Sequence, residues 1–213
     1  MAAARVHSYV VNHDIGFAPN PFFGYCTLAT CKQQIRRVAE LDDWIVGTGA
    51  AKNRRTGDLV YAMRVTEVMS FDEYWNDERF ISKRPNLSGS RKHRFGDNVY
   101  HRDRRGDWIQ EDSRHSRADG SPEPVHLKRD TSVTERVLIS DDFVYFGATG
   151  RCLPETDWGF SVLSGRGHRN HFQADQVDTV VGWLNGLERG IKGMPFDWHR
   201  TRNLARNPRR TTV

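Results

Sequence analysis

Residues 12–37 read NHDIGFAPNPFFGYCTLATCKQQIRR. The run places Asp14, Asn20, Cys26, Thr27, Thr30, Cys31, Lys32, Arg36 and Arg37 close together. Its first half has no apolar period, and its second half turns helix-like. Core segments seldom carry so many polar groups, because each needs a buried partner. Gly16, Pro19, Pro21 and Gly24 punctuate the first half. The prolines bias Ala18 and Asn20 toward extended backbone, which predicts a stiff loop over 12–24. Thr30 is the expected N-cap of a helix over Cys31–Leu41, with Ile35, Val38 and Ala39 on one face. Cys31 would then lie in the first turn, where the helix dipole lowers a thiol's pKa and favours an anion beside Lys32.

Working outward, Val6–Val11 (VHSYVV) has the β-branched and aromatic content of a strand. Its apolar run is short and continues into patterned sequence, so it reads as a first strand and not as a signal peptide. Trp44–Val46 predicts a short strand ending in Gly47-Thr48-Gly49, and Asp58–Met69 predicts one long strand. Ser70 and Glu73 form a capping box that opens a helix toward Arg79. Arg79–Asp130 shows little regular pattern. Glu135–Ile139 and Phe143–Phe146 read as a hairpin turning at Ser140–Asp142. Ala174–Leu187 carries a one-face helical pattern. This order predicts an α+β fold: a mixed, partly barrel-like sheet flanked by helices, with a polar insertion over 80–130. Residues 1–197 are expected as a single domain and 198–213 as a basic tail.

The formal charge of +5 comes from Lys+Arg 32 against Asp+Glu 27. Arg200, Arg202, Arg206, Arg209 and Arg210 supply all of that excess, so the rest of the chain is neutral. Between Arg79 and Arg117 there is a second, local basic surplus. Both regions suit phosphate, and the tail also suits a protein partner. Mean hydropathy is −0.70, and no apolar run nears the roughly 18 residues of a membrane span. Three cysteines without a secretion signal point to a reducing, cytoplasmic setting.

Three chemistries fit the residue types. Cys26 or Cys31 suits a nucleophile, with His101, His168 or His171 as base. Cys26, Cys31, His168 and His171 match zinc spacings only loosely, so no metal is expected. Asn12, Asp14, Asn20, Thr27 and Thr48 suit the reading of base or sugar edges. Lys32, Arg36, Arg37, His168 and His171 suit a phosphate, and Phe17, Phe22, Phe23 and Tyr25 are candidate stacking rings. Both G-x-x-x-x-G-K-[ST] and G-x-G-x-x-G are missing, and no cofactor is implied.

The runs His13–Phe22, Cys26–Lys32 with Ile35–Arg37, Asp43–Gly49, Gly57–Tyr61, Phe71–Trp75 and Gly96–His101, together with Gly147 and Pro154, resemble the nucleotide modification associated domain 2 family. The likeness spans about Tyr9 to Gly186. It implies work alongside bacterial and phage systems that install or process modified bases, on modified nucleotides or nucleic acid. Asp43–Tyr74 also resembles PUA-like barrels that read modified bases. The leading expectation is a module that binds a modified nucleotide or base. The alternatives are a nucleotide-processing enzyme with a Cys nucleophile and a His base, and an interaction scaffold that docks a partner through the basic tail.

Overall fold

The computed structural model describes residues 4–163 and 167–200. Most of the Arg-rich segment and part of Gly165–His171 lie outside them. In chain order the strands are β1 (Val6–Val11), β2 (Cys26–Leu28), β3 (Trp44–Gly49), β4 (Asp58–Arg64), β5 (Glu67–Ser70), β6 (Tyr100–Arg102), β7 (Trp108–Gln110), β8 (Arg136–Ser140), β9 (Asp142–Tyr145), β10 (Arg151–Cys152), β11 (His168–Arg169) and β12 (Gly190–Ile191). The helices are α1 (Gln33–Val38), α2 (Phe71–Asn76), α3 (Arg91–Arg94), α4 (Pro124–Thr131), α5 (Glu155–Trp158), α6 (Ala174–Asn185) and α7 (Asp197–Arg200).

The main sheet runs β11-β1-β3-β4-β9-β12, with β10 added to β4. The β1–β3 and β9–β12 pairs are parallel, and the other pairs in this sheet are antiparallel. A second sheet is β2-β8-β5, and β6 pairs with β7. The fold is therefore α+β with a mixed sheet, and no sheet closes into a barrel among the described residues.

Two strand expectations need correction. Asp58–Met69 is two strands, because the chain leaves the main sheet after Arg64 and joins the second at Glu67. The supposed hairpin at Ser140–Asp142 is not one, since β8 pairs with β5 and β9 pairs with β4. Both chain segments cross between sheets side by side: Arg64 opposes Asp142, and the Thr66 amide donates to the Ile139 carbonyl at 3.0 Å. Apolar residues fill the space on either side, so each segment buries both halves.

Gly47 on β3 lies against the Tyr61 ring; a Cβ there would meet that ring at 2.2 Å. That close approach lets the Tyr61 hydroxyl meet the Tyr9 hydroxyl at 2.8 Å in the core.

The polar loop of residues 12–24 is held from inside. Lys83 is wholly buried, and its Nζ lies 3.0 Å from both the carbonyl and Oδ1 of Asn20. The same atom reaches the Tyr25 carbonyl at 2.9 Å and Thr27 Oγ1 at 3.0 Å. Thr27 Oγ1 and the Tyr74 hydroxyl donate to buried Asp97 at 2.7 and 2.9 Å. Burial pulls the Lys83 ammonium down to about 8 and pushes the Asp97 carboxyl up. Farther along the chain, Asp14 accepts from the Tyr145 hydroxyl and from the Phe196 amide.

Replacing Lys83 with Met removes four buried donor contacts to Asn20, Tyr25 and Thr27 and leaves Asp97 without its nearby cation. Urea unfolding of Lys83→Met should show a loss of about 3–5 kcal/mol. A loss below about 1 kcal/mol, the scale of an exposed pair, would contradict this role.

Candidate functional site

A cavity of about 410 Å³ opens beside the start of α1. Its walls include Val11, Asn12, His13, Ile15, Phe17 and Ala18 from the polar loop and the strand before it, and Cys31 and Lys32 from the turn that follows β2. The far side is supplied by Arg114, His115, His126 and Arg129 from the polar insertion and α4.

Cys31 does not sit in a helical first turn. Cys31 and Lys32 both adopt left-handed backbone, with φ of 57° and 41°, and α1 starts at Gln33 with Lys32 as its cap. The Asp130 carboxylate holds this turn by accepting the Cys31 amide at 3.0 Å. Arg36, fully buried, ties the same place from below. Its guanidinium donates to the carbonyls of Cys31 at 2.9 Å and Arg136 at 2.8 Å, and to that of Asp130.

Cys31, His115 and Asp130 form a chain. Sγ lies 3.7 Å from His115 Nε2, and His115 Nδ1 lies 2.9 Å from Asp130 Oδ2. The Tyr100 hydroxyl donates to the same Oδ2 at 3.0 Å. Arg129 donates from Nε to Asp130 Oδ1 at 3.0 Å. Its Nη2 reaches His115 Nε2 at 3.2 Å and Sγ at 3.8 Å. The Phe17 ring packs edge-on against the imidazole, with centroids 4.7 Å apart.

The electrostatics follow from burial and this bonding. Burial opposes ionisation of Asp130, yet the His115 and Arg129 contacts hold its carboxyl far below the usual range. The His115 imidazole is pulled below its ordinary value by burial, against the opposite pull of Asp130. The Cys31 thiol is pushed up by burial and by the Asp130 charge, with Arg129 and Lys32 countering. At neutral pH the resting pair is thus a neutral thiol facing a neutral imidazole, not a thiolate–imidazolium pair. The expected dipole-lowered thiol is overturned by this geometry.

The three side chains present donor atoms within 4.8 Å of one another, as a metal site would. Arg129 argues against that use: its guanidinium already points between Sγ and Nε2, where a cation would sit. Asp130 is committed to Nδ1, the arrangement that fixes an imidazole's tautomer.

The other expected residues are dispersed. Cys26 is fully buried in the core and its thiol is pushed far up by burial; it is not placed to react. His101 stacks on Trp75 at 3.9 Å and pairs with Glu111 at 2.8 Å, outside the cavity walls. His168 lies on β11 opposite Tyr9 and is lowered by burial and nearby His7 and Lys32; His171 is exposed. The Cys26–Cys31–His168–His171 set therefore forms no cluster. Asp14, Asn20, Thr27 and Arg36 serve the internal bonds described above. Thr48 is buried, with Oγ1 3.3 Å from the Tyr9 carbonyl. Arg37 is exposed and its carbonyl accepts from Arg136. Of the candidate rings, Phe17 lines the cavity; Phe22 stacks on Trp198, Phe23 packs by His93 and Tyr25 by Phe80. Asn12, Cys31 and Lys32 are the expected site residues that do line it.

His115, Asp130, Arg129, Arg114 and His126 escaped the sequence because they lie 83 to 99 positions after Cys31 in a stretch without apolar periodicity. One signal was available. Glu123-Pro124 is a helix start, with proline at the first helical position and Glu123 capping Val125.

A family model described as nucleotide modification associated domain 2 matches residues 3–202, and the chain belongs to that family. No curated protein and no solved structure matches it. No helix among the described residues is long and apolar enough to cross a membrane.

Because burial raises the Cys31 thiol, less thiolate is present at any given pH. Iodoacetamide should therefore label Cys31 slowly at neutral pH and still faster above the ordinary thiol value of roughly 8.5. Exposed Cys152 is the internal reference. A Cys31 labelling rate that levels off below that pH, followed by peptide mass spectrometry, would contradict the assignment.

Proposed function

We propose that this member of the nucleotide modification associated domain 2 family is an enzyme that uses Cys31 as a nucleophile on a nucleotide or nucleobase substrate. The observation that carries the reading is the Cys31–His115–Asp130 chain at the cavity wall. A nucleophile within reach of a base, with the base oriented by a third group, is the arrangement that activates a poor nucleophile.

The roles follow from the atoms. Asp130 holds the Nδ1–H of His115, which leaves the Nε2 lone pair facing Sγ and the Arg129 Nη2 that donates to it at rest; Arg129 turns to the substrate's developing charge as the thiol proton passes. As Sγ bonds to an electrophilic carbon of the substrate, the thiol proton passes to Nε2. When the covalent adduct breaks down, the leaving group takes that proton. Water or another nucleophile, deprotonated by Nε2, then releases the thiol. Arg129, beside both Sγ and Nε2, is positioned to stabilise negative charge that develops on the substrate. Tyr100 and Arg36 hold Asp130 and the Cys31 turn and touch no reacting atom.

A second reading, a module that binds a modified nucleotide without turnover, is supported by the basic, acid-free lining of the cavity. Turnover separates the two.

The test is consumption of modified nucleotides from a defined library, read by chromatography and mass spectrometry. Cys31→Ser should abolish it, and His115→Asn should lower kcat about 10²–10⁴-fold. His115 must be neutral to accept a proton and its pKa is depressed. The acid limb of kcat/KM should therefore fall below the ordinary imidazole value of about 6.5. Equal turnover by Cys31→Ser and the unaltered chain would remove the nucleophile assignment.

A further inference from the structure

The cavity has a charge asymmetry that the nucleophile does not use. Its lining carries Lys32, Arg114 and Arg129 and no carboxylate. Lys32 is half-buried, with Nζ 4.2 Å from the centre of the Tyr9 ring. Among the described residues no hydrogen-bond acceptor or carboxylate pairs with the Lys32 ammonium or the Arg114 guanidinium. Other buried cations differ: Arg36 is spent on three carbonyls, and Lys83 on Asn20, Tyr25 and Thr27. A half-buried ammonium without a counter-charge bears a desolvation cost that an anion in the cavity offsets. The lining also carries apolar groups, Val11, Ile15, Ala18 and the Phe17 ring beside His115.

We infer that the cavity takes a free mononucleotide, its phosphate monoester on Lys32 and Arg114 and its base along the Phe17 wall next to Cys31. The inference deepens, and rests on, the reading of this cavity as the substrate site. The volume favours a free nucleotide over a polymer: about 410 Å³ holds a single nucleotide.

Calorimetry on the full-length Cys31→Ser chain tests this without the nucleophile. The probes are the common deoxynucleoside 5′-monophosphates, the matching nucleosides and single-stranded oligonucleotides of the same bases. At least one monophosphate should bind about tenfold or more tightly than its nucleoside, and no more weakly than the oligonucleotide. Lys32→Met and the exposed change Arg114→Ser should each erode that preference about tenfold, with circular dichroism unchanged. Equal affinity for nucleoside and monophosphate, tighter binding of the oligonucleotide, or no binding by any probe would overturn the inference. Failure of the nucleophile reading looks different: monophosphate binding persists while the unaltered chain turns nothing over.

Discussion

The Asp130 carboxylate accepts from four groups at once: the Cys31 amide, Arg129 Nε, the Tyr100 hydroxyl and His115 Nδ1. Those donors come from the turn after β2, from α4, from β6 and from the loop after β7. A single buried charge therefore joins parts of the chain that are otherwise far apart. Charge-assisted bonds of this kind are short and strong, and they hold the carboxyl ionised despite its burial. Arg36 reinforces the joint from the core side, bonding the backbone carbonyls of both Cys31 and Asp130. The left-handed turn that presents Sγ is thus fixed by tertiary contacts, not by the helix that follows it. This explains why the thiol is oriented toward His115 while its proton remains in place at neutral pH.

A second buried cation, Lys83, does for the loop of residues 12–24 what Asp130 does for the Cys31 turn. It gathers Asn20, Tyr25 and Thr27 around one ammonium, with Asp97 nearby through Thr27 and Tyr74. The loop's outer edge is then free to form a cavity wall with Asn12, His13, Ile15 and Phe17. The rigid inner edge and the functional outer edge are two sides of the same stretch.

Much of this was legible in the chain. VHSYVV is β1, the Ser70–Glu73 capping box is present, and the one-face pattern from Ala174 is α6. Local rules succeed there because each depends on neighbours a few positions away. The density of polar groups in residues 12–37 has a mixed cause. Asn20, Thr27, Asp14 and Arg36 are polar because they bond inside the protein, whereas Lys32 and Asn12 face the cavity. Sequence alone does not separate a buried network from a binding surface, since both place polar residues against an apolar background. His115 and Asp130 were illegible for another reason. Their role depends on α4 folding back onto α1, a contact between segments about 90 residues apart that carries no local signature. The strand exchange between sheets was hidden likewise, because alternation continues across Val65–Thr66 whichever sheet the strand joins.

The proposed chemistry requires Cys31, His115 and Asp130 to act as one unit. It is tested most directly by a double-mutant cycle on the rate at which chloroacetamide alkylates Cys31, using the unaltered chain, His115→Asn, Asp130→Asn and the double variant. No substrate need be known. Each single change should alter the rate and the double change should add little to either, the non-additivity expected of groups in one hydrogen-bonded network. Independent, additive effects, or a Cys31 rate unchanged in both single variants, would contradict it.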